Sequence, residues 1–150
     1  MALLLARFLG LLLVGSAAGA TLCVVFIERG LGDSGSFYVA YKQMMIRTLT
    51  VPLPLLAALS GVLVAVDCVA QWRAGAGASL WLAVGALLLI IAGGVMTKVG
   101  HFPLNATIAS WDAAAPPPIW SSMQAKWSAL HLARTAVTVL AFALFILSNL

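Results

Sequence analysis

The chain has 150 residues, of which 63% are hydrophobic and only 8% are charged. A soluble domain carries about 25% charged residues, so this composition excludes a soluble globular protein and indicates an integral membrane protein whose main partner is the lipid bilayer. The formal net charge of +4 is spread out without a dense Lys/Arg cluster, which argues against nucleic acid as a partner.

Four apolar segments are long enough to cross a bilayer, since a spanning helix needs roughly 20 apolar residues. We predict spans over about 2–27, 51–72, 79–97 and 119–148. With short connections they form one transmembrane domain over 1–150, an all-α, antiparallel four-helix bundle. The polar segments 28–50 and 98–118 then lie on the same side of the membrane.

The first span imitates a signal peptide, because an apolar run is followed by small residues. No early cluster of positive charge precedes the run, and it continues to Ile27, so we predict an uncleaved helix. Small residues recur along it and let another helix approach closely, at Gly15, Ser16, Gly19 and Ala20. Such a face also offers a surface for a homo-oligomer.

The segment before the second span contains an amphipathic lead-in over residues 37–47. Its tyrosines and basic residues suit a membrane interface. Gln43 and Arg47 share a helix face at a spacing of four, which favours a site facing the bundle over scattered solvation. In the second span, Asp67 is a functional candidate as an ionisable residue in a membrane helix. Its position near the boundary favours a structural pair with Arg73.

Proline marks both ends of the segment between the third and fourth spans. Phe102-Pro103 is expected to end the third span, and the prolines at 116–118 make a stiff lead into the fourth. The sequence contains no Walker loop, dinucleotide fingerprint, Cys pair or His-x-x-x-His spacing. We therefore predict neither a cofactor nor a metal, and a metal site would need ligands from several helices.

The fourth span carries one stripe of polar and aromatic side chains. They follow at steps of seven, four, three and four: Trp120, Trp127, His131, Arg134 and Thr138. At 3.6 residues per turn these steps return to nearly the same direction. Because the rest of the helix is apolar, the stripe is expected to be hidden from lipid.

An antiparallel bundle gathers most polar and aromatic residues at one end. The other end has only Arg7, Asp67, Gln71 and Arg73. His131 and Arg134 enter the bilayer by one or two turns, roughly 3–8 Å at a rise of 1.5 Å per residue, which suits a pocket open to the interface.

The charge of Arg134 has to be balanced at that depth. Glu28, Asp112, a backbone carbonyl or a ligand oxygen would serve. Two structural alternatives stay open, namely an interhelical salt bridge of Arg134 and an interhelical hydrogen bond of His131.

Several of these residues carry a family resemblance. They are Pro103-Leu104-Asn105, Trp111-Asp112, the proline-rich turn, Trp127, His131 and Arg134, together with Gln43 and Arg47. The pattern resembles the anthrone-oxygenase-like family of small four-helix membrane proteins. The resemblance implies a cofactor-independent oxygenase with dioxygen as co-substrate, which in fungal members converts polyketide anthrones to anthraquinones. Because bacterial members are mostly unassigned, the resemblance alone does not identify the substrate of this chain.

Two functions of different class follow. In the first, a hydrophobic, anthrone-like aromatic substrate loses a proton to His131, and Arg134 and Asn105 stabilise the oxyanion of the resulting carbanion or enolate, which reduces dioxygen. The substrate-binding wall comprises Trp127, Trp120, Gln43, Arg47, His101 and Trp111. In the second, the chain is a non-catalytic membrane subunit or small-molecule binder whose polar stripe joins helices. We expect it in the bacterial inner (cytoplasmic) membrane.

Overall fold

The structure is a computed structural model that describes residues 1–150, apart from the side chain of Ala2. Its helices are α1 (Ala2–Arg29), α2 (Gly35–Leu49), α3 (Pro52–Arg73), α4 (Gly77–Met96), a π-helical turn (Thr97–His101), α5 (Phe102–Ala109) and α6 (Trp120–Leu147). The residues that the structure describes contain helices and turns and no strand. The predicted all-α class is confirmed.

Four of these helical segments are long and apolar enough to cross a membrane. They are Leu3–Arg29, Pro52–Arg73, Gly77–Ala109 and Trp120–Leu147. Large apolar side chains such as Leu88, Ile91 and Val95 are exposed on the outside of the third segment, as lipid contact requires. The chain is therefore an integral membrane protein, while its residence in a bacterial inner membrane stays a prediction.

The four long helices pack in a ring in which α1 contacts α3 and α6, and α4 also contacts α3 and α6. Neighbours run in opposite directions: Gly15 of α1 lies against Phe142, near the end of α6. A β-carbon on Gly15 would lie 3.0 Å from the Phe142 ring, so the missing side chain permits this close packing. A β-carbon on Gly19 would meet no described atom within 4 Å outside the adjoining part of its own helix. The oligomer through this face stays a prediction.

The structure differs from the prediction at the end of the third span. Instead of a loop over 98–118, the chain stays helical through the π-helical turn to Ala109. Pro103 lies in the first turn of α5 and has no N–H to donate. The wider π-helical turn before it lets the helix continue without that hydrogen bond. The Phe102 N–H donates to the Thr97 carbonyl, as a π turn requires.

The polar segment 28–50 is also mostly helical. Ser34 caps α2, because its hydroxyl oxygen accepts a hydrogen bond from the Phe37 N–H at 3.4 Å. α2 packs against α5, and both lie at the end of the ring where α1 ends and α6 begins. This end holds the candidate site.

At the opposite end, Asp67 pairs with a different partner from the one predicted. Its carboxylate lies 2.6 Å from Nε of Arg7 on α1, not beside Arg73. Gln71 donates to the same carboxylate at 2.6 Å and to the Ser148 carbonyl at 3.3 Å. Arg73 lies six residues beyond Asp67, which turns it away from that helix face, whereas antiparallel α1 brings Arg7 alongside.

The contact between the π-helical turn and α6 depends on Gly100. A β-carbon there would overlap the Leu130 side chain. We expect Gly100→Ala to lower the free energy of unfolding by up to about 2 kcal/mol, because overpacking usually costs about 1–3 kcal/mol and replacing a helical glycine returns about 1 kcal/mol. Thermal unfolding in detergent micelles, followed by circular dichroism, measures the change.

The matched control is Gly94→Ala on α4, where the added carbon would meet no described atom within 4 Å outside the adjoining part of its own helix. This variant should be neutral or slightly more stable, since alanine favours a helix. Equal unfolding temperatures for the two variants would contradict the close contact.

Candidate active site

The π-helical turn and α5 present one row of side chains to α6. Thr97, His101 and Asn105 follow at steps of four, so they lie on one face. The Thr97 hydroxyl accepts a hydrogen bond from Arg134 Nη1 at 3.1 Å. Asn105 Oδ1 accepts one from Trp127 Nε1 at 2.9 Å. The row therefore positions two members of the predicted stripe on α6.

The His131 ring is held through both nitrogens. Its Nε2–H donates to the Thr21 carbonyl on α1 at 2.9 Å. Its Nδ1 accepts from Arg134 Nη2 at 2.8 Å. These partners assign the neutral tautomer with the proton on Nε2. In this arrangement the ring has no free lone pair.

Arg134 has neutral partners. They are the His131 ring and the Thr97 hydroxyl, and its Nε has no hydrogen-bond partner within the part of the chain that the structure describes. The ion pairs among the described residues are Arg7–Asp67 and Lys42–Glu28, so neither includes this guanidinium. Glu28, one predicted partner, is used elsewhere. Arg134 is thus a largely buried cation without a carboxylate.

Lys42 of α2 is a site residue that the sequence interpretation missed. It is 1% exposed, and its Nζ lies 2.6 Å from Glu28 Oε1. The same ammonium lies over the Trp127 ring, 2.8 Å from the ring centroid. Burial lowers the pKa of Lys42 to about 8, although Glu28 acts in the opposite direction. Its place in a Tyr- and Lys-containing lead-in indicated a membrane-interface anchor instead.

His101 is the second buried imidazole. It is 1% exposed, and neither ring nitrogen has a hydrogen-bond partner among the residues that the structure describes. The ring packs edge-on against Trp127 at a centroid distance of 5.2 Å and against His131 at 6.1 Å. An unpaired buried polar group costs about 1–3 kcal/mol, so a bound molecule that pairs with it would recover that cost.

These side chains line a cavity of about 60 Å³. Its polar wall contains Lys42, His101, Asn105, His131 and Arg134. Its apolar wall includes Met45 and Leu49 of α2 and Leu53 of α3. The volume holds a few waters or a diatomic gas.

A second, wider groove lies between α1 and α6. It has a volume of about 220 Å³ and includes Glu28, Ser128 and His131 in its lining. The Ser128 hydroxyl donates to Glu28 Oε2 at 3.3 Å. His131 lines both spaces, so it stands between the groove and the inner cavity.

The predicted site residues divide into two groups. His131, Arg134, Asn105, Trp127 and His101 come together at the inner cavity.

The remaining four lie outside its lining. Gln43 donates to the Trp111 carbonyl at 2.7 Å, so it fastens the end of α5 and does not face the cavity. The Trp111 side chain packs in the apolar cluster beside α2. Trp120 packs against Tyr38 at a centroid distance of 6.0 Å, and Arg47 is exposed.

The described residues contain no group of three or more His, Cys, Asp or Glu side chains placed to hold a metal ion. In the comparisons with known proteins, the profile described as anthrone oxygenase matches residues 41–144. No curated protein and no solved structure matches the chain.

The Trp127 indole of α6 contacts α5 and α2 at the cavity, because it donates to Asn105 and lies beneath Lys42. We expect Trp127→Phe to lower the free energy of unfolding by about 1–3 kcal/mol, since both the N–H donor and part of the buried indole are lost. Denaturant unfolding in micelles measures this. Trp81→Phe is the control, because that side chain is 72% exposed on α4. Equal shifts for both variants would show that the Trp127 hydrogen bond contributes nothing.

Proposed function

Because the chain belongs to the anthrone oxygenase family, we propose that it is a membrane-embedded oxygenase for a hydrophobic, anthrone-like aromatic substrate. The reaction needs dioxygen as co-substrate and no resident cofactor. The family match over residues 41–144 supports the reaction class, and the geometry of the cavity supports the roles of individual residues.

The observation that carries the proposal is the unbalanced charge of Arg134. Its guanidinium lines the cavity with neutral partners, and the nearby ion pair of Lys42 and Glu28 is balanced in itself. A buried charge is expensive unless an opposite charge meets it. The cavity therefore favours an anionic occupant, such as the enolate oxygen of a deprotonated aromatic ketone.

The neighbouring residues can hold the rest of such an anion. The Asn105 carbonyl oxygen is used by Trp127, so its amide N–H groups stay available for a substrate oxygen. His101 offers unpaired ring nitrogens to a ring hydroxyl. Trp127 lines the cavity, but its ring is covered by Lys42 and stacked on His131 at a centroid distance of 4.8 Å, so its predicted stacking on a substrate stays a prediction.

The chemistry balances without another reactant. A base takes one proton from the CH₂ group between the aromatic rings, and the carbanion gives one electron to dioxygen. The resulting radical and superoxide combine, and the base returns its proton to the peroxide. Removal of the second C–H proton breaks the O–O bond, leaves C=O and releases hydroxide, which leaves as water. The sum is CH₂ + O₂ → C=O + H₂O.

The base role predicted for His131 carries a structural condition. Arg134 occupies Nδ1, and Nε2–H is donated to Thr21. His131 can accept a proton only after the guanidinium turns from the ring to the substrate oxygen. The role stays a prediction, and in the present arrangement His131 positions Arg134.

The substrate also has to open the site. A three-ring ketone is larger than the 60 Å³ cavity, so the side chains of Met45, Leu49 and Leu53 would have to move apart. The small volume and the hydrogen bonds that join its polar side chains favour the second function, a non-catalytic subunit or small-molecule binder whose polar stripe joins helices.

Oxygen uptake by the purified protein, with a panel of anthrones, tests the proposal. The wild type should consume oxygen and form the quinone. We expect Arg134→Gln to lower kcat/KM by about 10²–10³, the usual effect of removing an oxyanion partner. Arg73→Gln, an exposed change at the opposite end, is the control and should keep the rate.

His131→Ala should also lose activity, either as the base or because Arg134 loses a fixed partner. Binding is followed in parallel by quenching of tryptophan fluorescence. Anthrone binding without oxygen uptake would support the binder. Neither binding nor uptake across the panel would leave both functions without support.

A further inference from the structure

We propose that Lys42 is the proton acceptor of this site, an assignment that rests on the proposed function above. The sequence pattern indicated only a membrane-interface anchor, and the resemblance assigns Lys42 no role. The residue lies on the buried side of α2, whereas Arg47 lies on the exposed side of the same helix.

The Lys42 amine lies in the lining of the cavity where the substrate would react. Lys42 lines the inner cavity together with Arg134 and is 1% exposed. A substrate whose oxygen lies on Arg134 therefore has its acidic C–H within the same small space. General base catalysis requires such contact before any other property matters.

The protonated form of Lys42 has a prepared environment. Glu28 Oε1 lies 2.6 Å from Nζ, and the Trp127 ring lies beneath it. After proton transfer, the ammonium is stabilised by both and also lies close to the new enolate. The same proton is then available for the peroxide, so the amine is regenerated.

The two imidazoles fit this role less well. The His131 lone pair is occupied by Arg134. His101 is unpaired, but among the residues that the structure describes no carboxylate pairs with it that would receive a second proton. Lys42 is the cavity base whose conjugate acid already has an anionic partner.

The acidity of Lys42 agrees with this role. Burial lowers its pKa to about 8, so a useful fraction of the amine is neutral near physiological pH. Charged and titratable groups surround it on every side, namely Glu28 on α1, Tyr38 and Tyr41 on α2, His101 on the π-helical turn, and His131 and Arg134 on α6. Burial raises the pKa of Tyr41 to about 12 and that of Tyr38 further, so both tyrosines stay neutral in this range.

The first test compares Lys42→Ala with Lys42→Arg. We expect Lys42→Ala to lower kcat by about 10²–10⁴, with a smaller effect on KM, because a general base contributes this much. Added primary amines should restore part of the rate in proportion to their concentration. Lys42→Arg keeps the charge but cannot give up its proton, so it should stay slow. Lys98→Ala, an exposed change on the π-helical turn, is the control.

The second test uses the pH dependence of kcat. The wild-type rate should rise with pH through an apparent pKa near 8, as the amine becomes neutral. Glu28→Gln should move this rise to lower pH, because the carboxylate raises the pKa of Lys42. A purely structural role for Lys42 predicts no such shift. This variant also tests the assignment if Lys42→Ala does not fold.

The outcomes separate the two proposals. An active wild type together with a fully active Lys42→Arg would overturn the assignment and leave the proposed function intact. An unshifted pH profile in folded Glu28→Gln would do the same. No uptake by the wild type would overturn the proposed function and the assignment with it.

Discussion

The site depends on how one cation is held. The Arg134 guanidinium is fixed by the Thr97 hydroxyl and the His131 ring, and His131 is fixed in turn by the Thr21 carbonyl. Three segments, α1, the π-helical turn and α6, therefore meet at one positive charge. None of these partners neutralises it, so the arrangement has its lowest free energy when an anion enters the cavity.

The second buried cation, Lys42, has a carboxylate partner, unlike Arg134. Lys42 is paired with Glu28 and covers the Trp127 ring, yet burial still lowers its pKa from 10.5 to about 8. The pKa of Lys42 is lower in the folded state than in the unfolded state, so keeping Lys42 charged lowers the free energy of unfolding. The full loss, about 3 kcal/mol, is present below pH 8. This loss disappears as the pH rises from about 8 towards 10.5. Under the proposed assignment, this loss of stability accompanies a base whose pKa is near neutrality in the cavity.

Periodicity predicted those parts of the site that lie within one helix. Trp127, His131 and Arg134 reach the same cavity because α6 is long, regular and apolar elsewhere. The pairing of Lys42 with Glu28 joins two helices, and a spacing rule within one helix says nothing about it. The π-helical turn was not predicted, because a proline such as Pro103 normally ends a helix. Here the wider turn accommodates the proline and the helix continues. Gln43 and Arg47 share a face only roughly, and packing of α2 on α5 turned one inward and left the other exposed.

Both ends of the helical ring bury charge, but they differ in whether the charged groups are paired within the described residues. At the far end, Arg7 meets Asp67 and Gln71 donates to the same carboxylate, so the buried carboxylate has its partners within the chain. At the other end, Arg134 has no carboxylate among the described residues and His101 has no hydrogen bond. Charged groups that are all paired within the chain stabilise the packing of helices. A group without a partner is stabilised when a ligand pairs with it. Under the proposed function, the anionic oxygen of the aromatic enolate would pair with Arg134, and a ring hydroxyl would pair with His101.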